Sequence, residues 1–560
     1  MRKQPESGTK SRNLKDNLHV DLLSFESLKA TPLYLDFLRK ERSLAPFFTE
    51  SSFSSDPVSL ARQISAVFPI ERRAELARIL TRQNQDWGAP PETIQAIVSL
   101  LEQDTVVVAT GHQLALFGGP LFTLYKALSI IVLSKRLNKD SNIQTVPVFW
   151  LADEDHDLPE VLEYGVSQTK DVPFDPLLGT FKLHDEGFPV GRVTLPDSIM
   201  HLLDELSIKL DSSFGSEMME ILRRYYKPGN TFQQAFASLM LKWFGKFGLV
   251  LISADQLDFK QWAAPLYIKT IQDSESLFQS LSMHTQQLIK AGYHQQVQFE
   301  ESHLFRYAQN GKRVKVKRSK EGWTTLDSAM TTSELLEDIH KSPDCYSPGV
   351  LLRLVLQSSL LPVVMVVGGP AEIAYAAQSM PLFEHTGIPM PSFQGRYSAT
   401  VLEPNVKRNF DRLEFALPQY QRRMEDIESL WIEHHTGDTA RTNFDLWTSE
   451  LATLHTRYAS LLTSMDLTLE ASFEKALVSM KHELDRLERK VRKAQKRRHD
   501  IDLLRIQMVK QAIYPSNHLQ ERVISAFSLY AQHGPEMWDA LLQIFEENEA
   551  NHHLILSFNR

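Results

Sequence analysis

Two uninterrupted apolar runs, Thr105 to Ala109 and Val146 to Leu151, flank a segment, Leu121 to Leu137, whose apolar residues recur at helical spacing. Short continuous apolar runs bounded by polar residues predict strands buried on both faces, and the longer period between them predicts a helix. The pattern therefore predicts a strand, helix, strand unit with parallel strands. Each run ends in polar residues: Thr110-Gly111-His112-Gln113 after the first, Asp153-Glu154-Asp155-His156-Asp157 after the second. Open parallel sheets bind ligands at the carboxyl ends of their strands. Gly248 to Ile252 and Leu361 to Val367 predict two more core strands of the same α/β sheet.

On either side of this core the texture differs. Amphipathic helical segments around Pro32 to Arg42, Ser59 to Ser65, Glu71 to Gln83 and Pro91 to Glu102 make 1–103 an N-terminal helical segment packed on the core. The core is assigned to 104–403, with insertions at about 160–245 and 290–345. Val161 to Val193 alternates like small strands, Ile199 to Phe247 is helical, and Asn310-Gly311 between Leu304 to Ala308 and Val314 to Val316 predicts a hairpin. From Pro404 the pattern turns helical, and 404–560 is assigned to one coiled-coil domain. Phe473, Met480, Leu487, Ala494, Ile501 and Met508 fall every seven residues, interleaved with Leu477, Leu484 and Val491. That seam predicts a coiled coil of about 60 Å. Where it meets Arg498 and Arg505 two readings stand: a register shift through Leu504, or arginines facing an anion. The basic run from Arg489 to Arg498 is a solvated face or a grip on RNA.

Composition narrows the class. The 560 residues are 42% hydrophobic and 23% charged with a net charge of −8, which fits a globular protein and disfavours nonspecific polyanion binding. One cysteine, Cys345, makes no internal disulfide and no multi-cysteine zinc site. It reads as incidental rather than as a nucleophile. The most apolar stretch, Leu351 to Ala377, is broken by Arg353, Gln357 and Glu372, and Met1 to Asn17 has no apolar signal core. The expectation is a reduced, cytoplasmic protein without membrane or nucleic-acid partners.

Three clusters carry chemistry. Gly118-Gly119-Pro120 opens a helix bearing Thr123 and Lys126 on its first turns; glycine amides at a helix start suit an anion, although the same glycines serve tight turns. The run Asp153 to Asp157 needs a cation, a basic substrate or solvent to balance it, with Glu154 and Asp157 as candidate Mg²⁺ ligands and His156 as a candidate general base. The third cluster holds Ser347, Arg353 and Gln357, then a second Gly368-Gly369-Pro370 followed by Glu372 and Tyr375. Asp255, after the third strand, is either a further site residue or a helix cap.

These motifs resemble the cysteine-adding enzymes of bacillithiol biosynthesis. The resemblance runs through Thr-Gly-His-Gln, Leu-Phe-Gly-Gly-Pro-Leu-Phe-Thr-Leu-Tyr-Lys, Pro-Val-Phe-Trp-Leu-Ala-Asp-Glu-Asp-His-Asp, Ser347-Pro348, Arg353 and Gly-Gly-Pro-Ala-Glu-Ile-Ala-Tyr. It continues through Arg396 and Ser398 to Pro515 and Leu519-Gln520-Glu521-Arg522. Gly349, Leu354 and Gly395 depart from it, standing where that family carries Asn, Pro and Pro. The resemblance implies a Rossmann-like core with inserted connecting segments and a coiled coil that pairs two subunits. It further implies a ligase forming an amide between cysteine and glucosaminyl malate. A carboxylate is a poor electrophile and an ammonium no nucleophile, so ATP or another nucleotide is expected as activator, with Mg²⁺ as a possible companion. On this reading Gly111, Gln113, Gly118, Gly119, Thr123 and Lys126 hold nucleotide or other anionic oxygens, and His112, Asp155 and His156 are catalytic. Ser347, Arg353, Gln357, Gly369, Glu372, Tyr375 and Arg396 bind substrate, Arg353 and Arg396 taking the malate carboxylates. The rivals are another adenylate-forming ligase with a different amine acceptor, and a non-enzymatic RNA-binding or coiled-coil assembly protein.

Overall fold

The computed structural model describes residues 14–49, 56–141, 143–167, 176–183, 187–210, 212–436 and 439–558. The polar start read at 1–13 lies outside the described residues. Val106–His112 and Thr145–Leu151 pair in parallel, from Val106 opposite Thr145 to His112 opposite Leu151. Alternate side chains leave opposite faces of a strand. Val106 and Val108 thus enter one core with Phe149 and Leu151, whereas Val107 and Ala109 enter another with Val146, Val148 and Trp150. Burial on both faces is the reason these runs are apolar without alternation. The helix between them, Leu121–Asp140, buries thirteen of its 20 residues, so it is an inner layer rather than a surface helix.

Five parallel strands form the sheet in the order Ser392–Gly395, Val363–Gly368, Val106–His112, Thr145–Leu151, Val250–Ser253. Numbered along the chain, that order is 5-4-1-2-3, the doubly wound arrangement of Rossmann folds. The order reverses between Val106–His112 and Val363–Gly368, so the crevice above the carboxyl ends of these two strands is the switch point. All four expected strands are present. The fifth, Ser-Phe-Gln-Gly, carries no apolar run, and its place comes from pairing Met365 with Ser392.

Three expectations need correction. The N-terminal segment holds the helices Pro32–Leu38, Pro57–Val67, Ile70–Asp86 and Pro91–Ser99, but Leu18–Ser24 is a strand. It pairs antiparallel with His552–Phe558, in a three-stranded sheet completed by Ser398–Leu402. A strand whose partner lies at the other end of the chain leaves little local signal. For the same reason 404–560 is not one helical unit. Leu402–Leu519 forms one compact unit, and the described residues from Gln520 onward belong with those up to Val401. Phe545, for example, stacks on Tyr397 with ring centroids 4.4 Å apart.

The third correction concerns the coiled coil. Thr439–Met465 and Leu467–Arg498 pack against each other, His455 stacking on Phe473 at 6.3 Å. The seam does not continue to Met508. His499 leaves helical geometry at φ −117°, ψ 18°, and Asp500–Ile513 is a separate helix. The conflict at Arg498 is thus a helix break, and Arg505 pairs with Asp502 at 2.5 Å. Within the basic run Arg492 pairs with Glu488 and Lys496 with Glu428.

The insertions position the site. Glu163–Val166 pairs with Leu177–Thr180, and the helices Ser198–Lys209, Gly215–Tyr225 and Phe232–Phe244 follow. The expected hairpin joins Leu304–Tyr307 to Arg313–Lys315, with Gly311 in the turn at φ +82°. Tyr346–Pro348 pairs with the other edge of Leu304–Tyr307, and Arg313 reaches across that middle strand to Ser347 Oγ at 2.9 Å. Among the described residues no helix is long and apolar enough to cross a membrane.

Candidate functional site at the carboxyl edge of the sheet

At the switch point, Lys126 reaches from the second turn of its helix to two partners. Its Nζ donates to the Gly111 carbonyl at 2.9 Å and makes an ion pair with Glu372. Glu372 also accepts from the Gly369 N–H at 3.0 Å, capping the helix Pro370–Thr386. Burial alone would raise the Glu372 carboxyl, but Lys126 outweighs it and brings it to about 2. Lys126 is pulled down by burial first, with Glu372 acting in the opposite sense. His112 ends the central strand; burial, then the charge of Lys126, hold its imidazole well below the ordinary histidine range, so it is neutral. The Phe122 ring stands 4.8 Å from it, edge on.

The second strand's cluster divides by depth. Asp153 is buried, accepting from Ser253 Oγ and Gln233 Nε2, both at 2.5 Å. Burial, then Asp255 and Glu154, push it up to about 7. Glu154 is buried against Lys260, and Asp255 takes a bidentate pair from Arg192 at 2.7 Å on both bonds, so Asp255 belongs to the supporting charge network. Asp155 and His156 face outward. Asp155 accepts from Gln113 Nε2 at 3.1 Å. Burial pushes its carboxyl up, but Arg353, Arg313 and Gln113 together hold it below the usual range, so it is ionised.

His156 Nδ1 lies 3.1 Å from Arg313 Nη1. A guanidinium only donates, so Nδ1 is the acceptor and the neutral ring carries its proton on Nε2. Burial and then Arg313 lower the His156 pKa, which agrees with a neutral ring. In this tautomer His156 offers an N–H donor, not the base expected of it. Arg313 itself is buried, donating also to Ser347 Oγ at 2.9 Å and the Pro348 carbonyl at 2.8 Å, with its guanidinium 3.7 Å from the centre of the Phe305 ring.

Several expected roles change. Gly118 and Gly119 sit at φ +86° and +74°, where a side chain is strained, and a Cβ on Gly119 would lie 2.7 Å from that of Ala115. Their N–H groups donate to Tyr226 and Leu116, and Thr123 is buried against Gly119; the turn is structural and its amides hold no anion. Arg396 is buried in a bidentate pair with Glu521, at 2.6 and 3.1 Å, so its terminal nitrogens are not free for malate. Ser347 serves Arg313, and Gln357 is buried in its helix. Glu154 and Asp157 are not brought together: the first is buried on Lys260 and the second is exposed. No group of three or more metal-capable side chains occurs among the described residues, and this pair does not fit Mg²⁺. Burial pushes the Cys345 thiol up, away from nucleophilic thiolate character.

Arg353 is half-buried; its backbone N–H donates to the Gly349 carbonyl, its guanidinium makes no hydrogen bond or ion pair with a described residue, and its charge acts on both Asp155 and Tyr375. Arg313 and Lys260 were not anticipated, and Phe122 and Glu521 fell within the motifs of the resemblance without a role. Arg313 was the hardest to see, since Lys312-Arg313-Val314-Lys315 reads as a basic hairpin edge. A cavity of about 320 Å³ lined by Phe68, Trp262 and Ile388 lies beside Val363, at the opposite end of the sheet from this chemistry.

Models described as "Bacillithiol biosynthesis BshC, N-terminal Rossmann-like domain" and "Bacillithiol biosynthesis BshC, C-terminal coiled-coil domain" match residues 18–397 and 399–557. Relatives named "Putative cysteine ligase BshC" include one from Chloroherpeton thalassium, 29% identical, the match covering 90% of this chain and 92% of that one. Another, from Salinibacter ruber, is 29% identical over 93% and 96% of the two chains, and one from Solibacter usitatus is 31% identical over 84% and 87%. A crystal structure of a "putative arginyl t-RNA synthetase" from Campylobacter jejuni aligns over 81% of this chain and 98% of that one at 10% identity, with a TM-score of 0.19, too low to support any argument. With both of its domain models matched in order along the same chain, this protein belongs to the BshC family of bacillithiol biosynthesis.

Proposed function

We propose that this protein is the ligase that joins the carboxyl group of L-cysteine to the amine of glucosaminyl malate, with a nucleotide activating the carboxylate. Its relatives' names supply the reaction class. The observation that carries the substrate reading is the state of Arg353. Lys126, Lys260, Arg192 and Arg396 each have a carboxylate of the chain, and Arg313 is held by Ser347, Pro348 and His156 and lies 3.6 Å from Asp155. The Arg353 guanidinium makes no ion pair with a described residue, although its charge acts on the ionised Asp155. A free guanidinium next to a carboxylate suits a substrate carrying both a carboxylate and an ammonium, and glucosaminyl malate has both.

In this reading Arg353 binds malate oxygens, Asp155 orients the amine, and the Nε2–H of His156 donates to substrate oxygen. The His112 imidazole, neutral and without a hydrogen bond to a described residue, is the available proton acceptor at the crevice. The bound nucleotide would supply the leaving group that makes the cysteine carboxyl electrophilic. Lys126 would fix the Gly111 carbonyl and the start of the second helix around it. The direct test is to incubate purified protein with cysteine, glucosaminyl malate and ATP, then follow the amide product by mass spectrometry alongside AMP and ADP. Product that depends on all three supports the reading; amide formed equally without nucleotide removes the activation step, and no amide removes the ligase assignment.

The same proposal includes a homodimer through the helical pair. Leu477, Leu484 and Val491 are half-buried, but Met480 and Leu487 on the other series are 51% and 45% exposed. A second apolar seam left open on a coiled coil is suited to another copy. Replacing both residues by glutamate is expected to convert dimer to monomer in light scattering. An unchanged mass, or a monomeric parent protein, would refute this arrangement.

A further inference from the structure

We propose that Arg522 is an anion-binding arm at the switch-point crevice, with Phe122 as the aromatic floor beside it, and that it takes the phosphate oxygens of a nucleotide. The inference rests on the nucleotide activation proposed above. Phe122 is the half-buried second residue of Leu121–Asp140. The charged ends of Arg396, Lys126 and Arg522 lie 5.3, 5.7 and 5.9 Å from its ring centre. Three cations around one ring repel unless balanced. Glu372 balances Lys126 and Glu521 balances Arg396. Arg522 is exposed and makes no hydrogen bond or ion pair with a described residue, so one positive charge at the crevice has no internal partner.

The backbone carrying Arg522 is clamped on both sides. Ahead of it, Gln520 exchanges two hydrogen bonds of 2.8 Å with the Val401 backbone, and buried Glu521 accepts from Ser398 Oγ and the Ala399 N–H. Behind it, the Leu121 N–H donates to the Ile524 carbonyl at 2.8 Å and the Ala526 N–H to the Gly119 carbonyl at 2.9 Å. The left-handed Gly118-Gly119 turn therefore helps fix the segment that presents Arg522, instead of binding the anion itself. Pre-ordering of this kind lowers the entropy lost on binding. The switch point is where doubly wound sheets take nucleotides, and a guanidinium beside an aromatic face matches a phosphate next to a planar base. Arg353 serves the other substrate near Asp155.

Calorimetric titration of the full-length protein with ATP, and separately with glucosaminyl malate, tests this. Arg522→Gln is expected to raise the Kd for ATP about tenfold or more, the range of a charge-assisted hydrogen bond. It should change the Kd for glucosaminyl malate less than twofold and leave the melting temperature unchanged, since the side chain is exposed. Arg522→Lys, which keeps a point charge, should recover part of the ATP affinity, and Phe122→Leu should lose part of it. An unchanged ATP Kd in Arg522→Gln, a parent protein that does not bind ATP, or a loss falling on glucosaminyl malate instead would each overturn the proposal. Because binding needs no turnover, a protein that binds ATP through Arg522 yet forms no amide would refute the ligase reading and leave the arm standing.

Discussion

Replacing Arg313 by methionine is expected to lower kcat for amide formation by about 10² or more, within the range that positioned proton donors and acceptors contribute. Arg313 donates to His156 Nδ1, Ser347 Oγ and the Pro348 carbonyl at once. It is a positioning residue: its removal frees the His156 ring to rotate and to exchange tautomers. Methionine fills most of the space, so the fold should survive with a loss of about 1–3 kcal/mol from the unpartnered Pro348 carbonyl. A purely structural role would stop there. The distinguishing readout is the His156 titration followed by NMR. Arg313 is the main charge lowering that pKa after burial, so its loss should move the titration upward. A group whose pKa rises is protonated at higher pH, so the midpoint of the His156 titration should move upward, while the Nε2–H donor is kept in both protonation states. A kcat within twofold of the parent together with a shifted His156 titration would show that the tautomer does not matter to the reaction.

The same residue shows where the sequence is and is not legible. Asp155 and Lys126 could be placed because each follows a strong local signal, a buried strand or a glycine-opened helix, and the parallel order brings the strand ends to one edge. Arg396 could be named, but it was given to a malate carboxylate where the structure pairs it with Glu521, a partner that lies beyond the whole of Leu402–Leu519. Arg313 was neither, because its burial depends on a small three-stranded antiparallel sheet, with Leu304–Tyr307 between its own strand and Tyr346–Pro348, that no periodicity announces. Gly118 and Gly119 carried two readings from the start, and only the positive φ values and the occupied amides decide for the turn. Local chemistry was thus readable at strand ends, while the pairing of charges across long chain separations was not.

Lys126→Met is expected to cost about 3 kcal/mol of stability at pH 7, because it leaves the Glu372 carboxylate in a largely enclosed crevice without its cation. The pH dependence gives the assignment a second test. The Glu372 carboxyl is lowered from its ordinary value of 4.5 to about 2, so its pairing contributes fully above the higher value and is lost as pH falls toward the lower one. Urea unfolding of parent and variant should therefore differ most near neutrality and converge as the pH approaches 2. A gap that stayed constant with pH would mean that the lysine acts through packing, not charge. The double variant Lys126→Met with Glu372→Gln removes both charges and should regain most of the stability, since glutamine can still accept from the Gly369 N–H that Glu372 caps. If the crevice binds an anion, the same double variant should not regain ATP affinity, because the cation beside Phe122 is gone. Recovery of both properties together would make the pair a structural clamp alone; recovery of stability without affinity would show that one buried ion pair both ties the two switch-point strands' helices together and sets the field in which the substrate's charge is held.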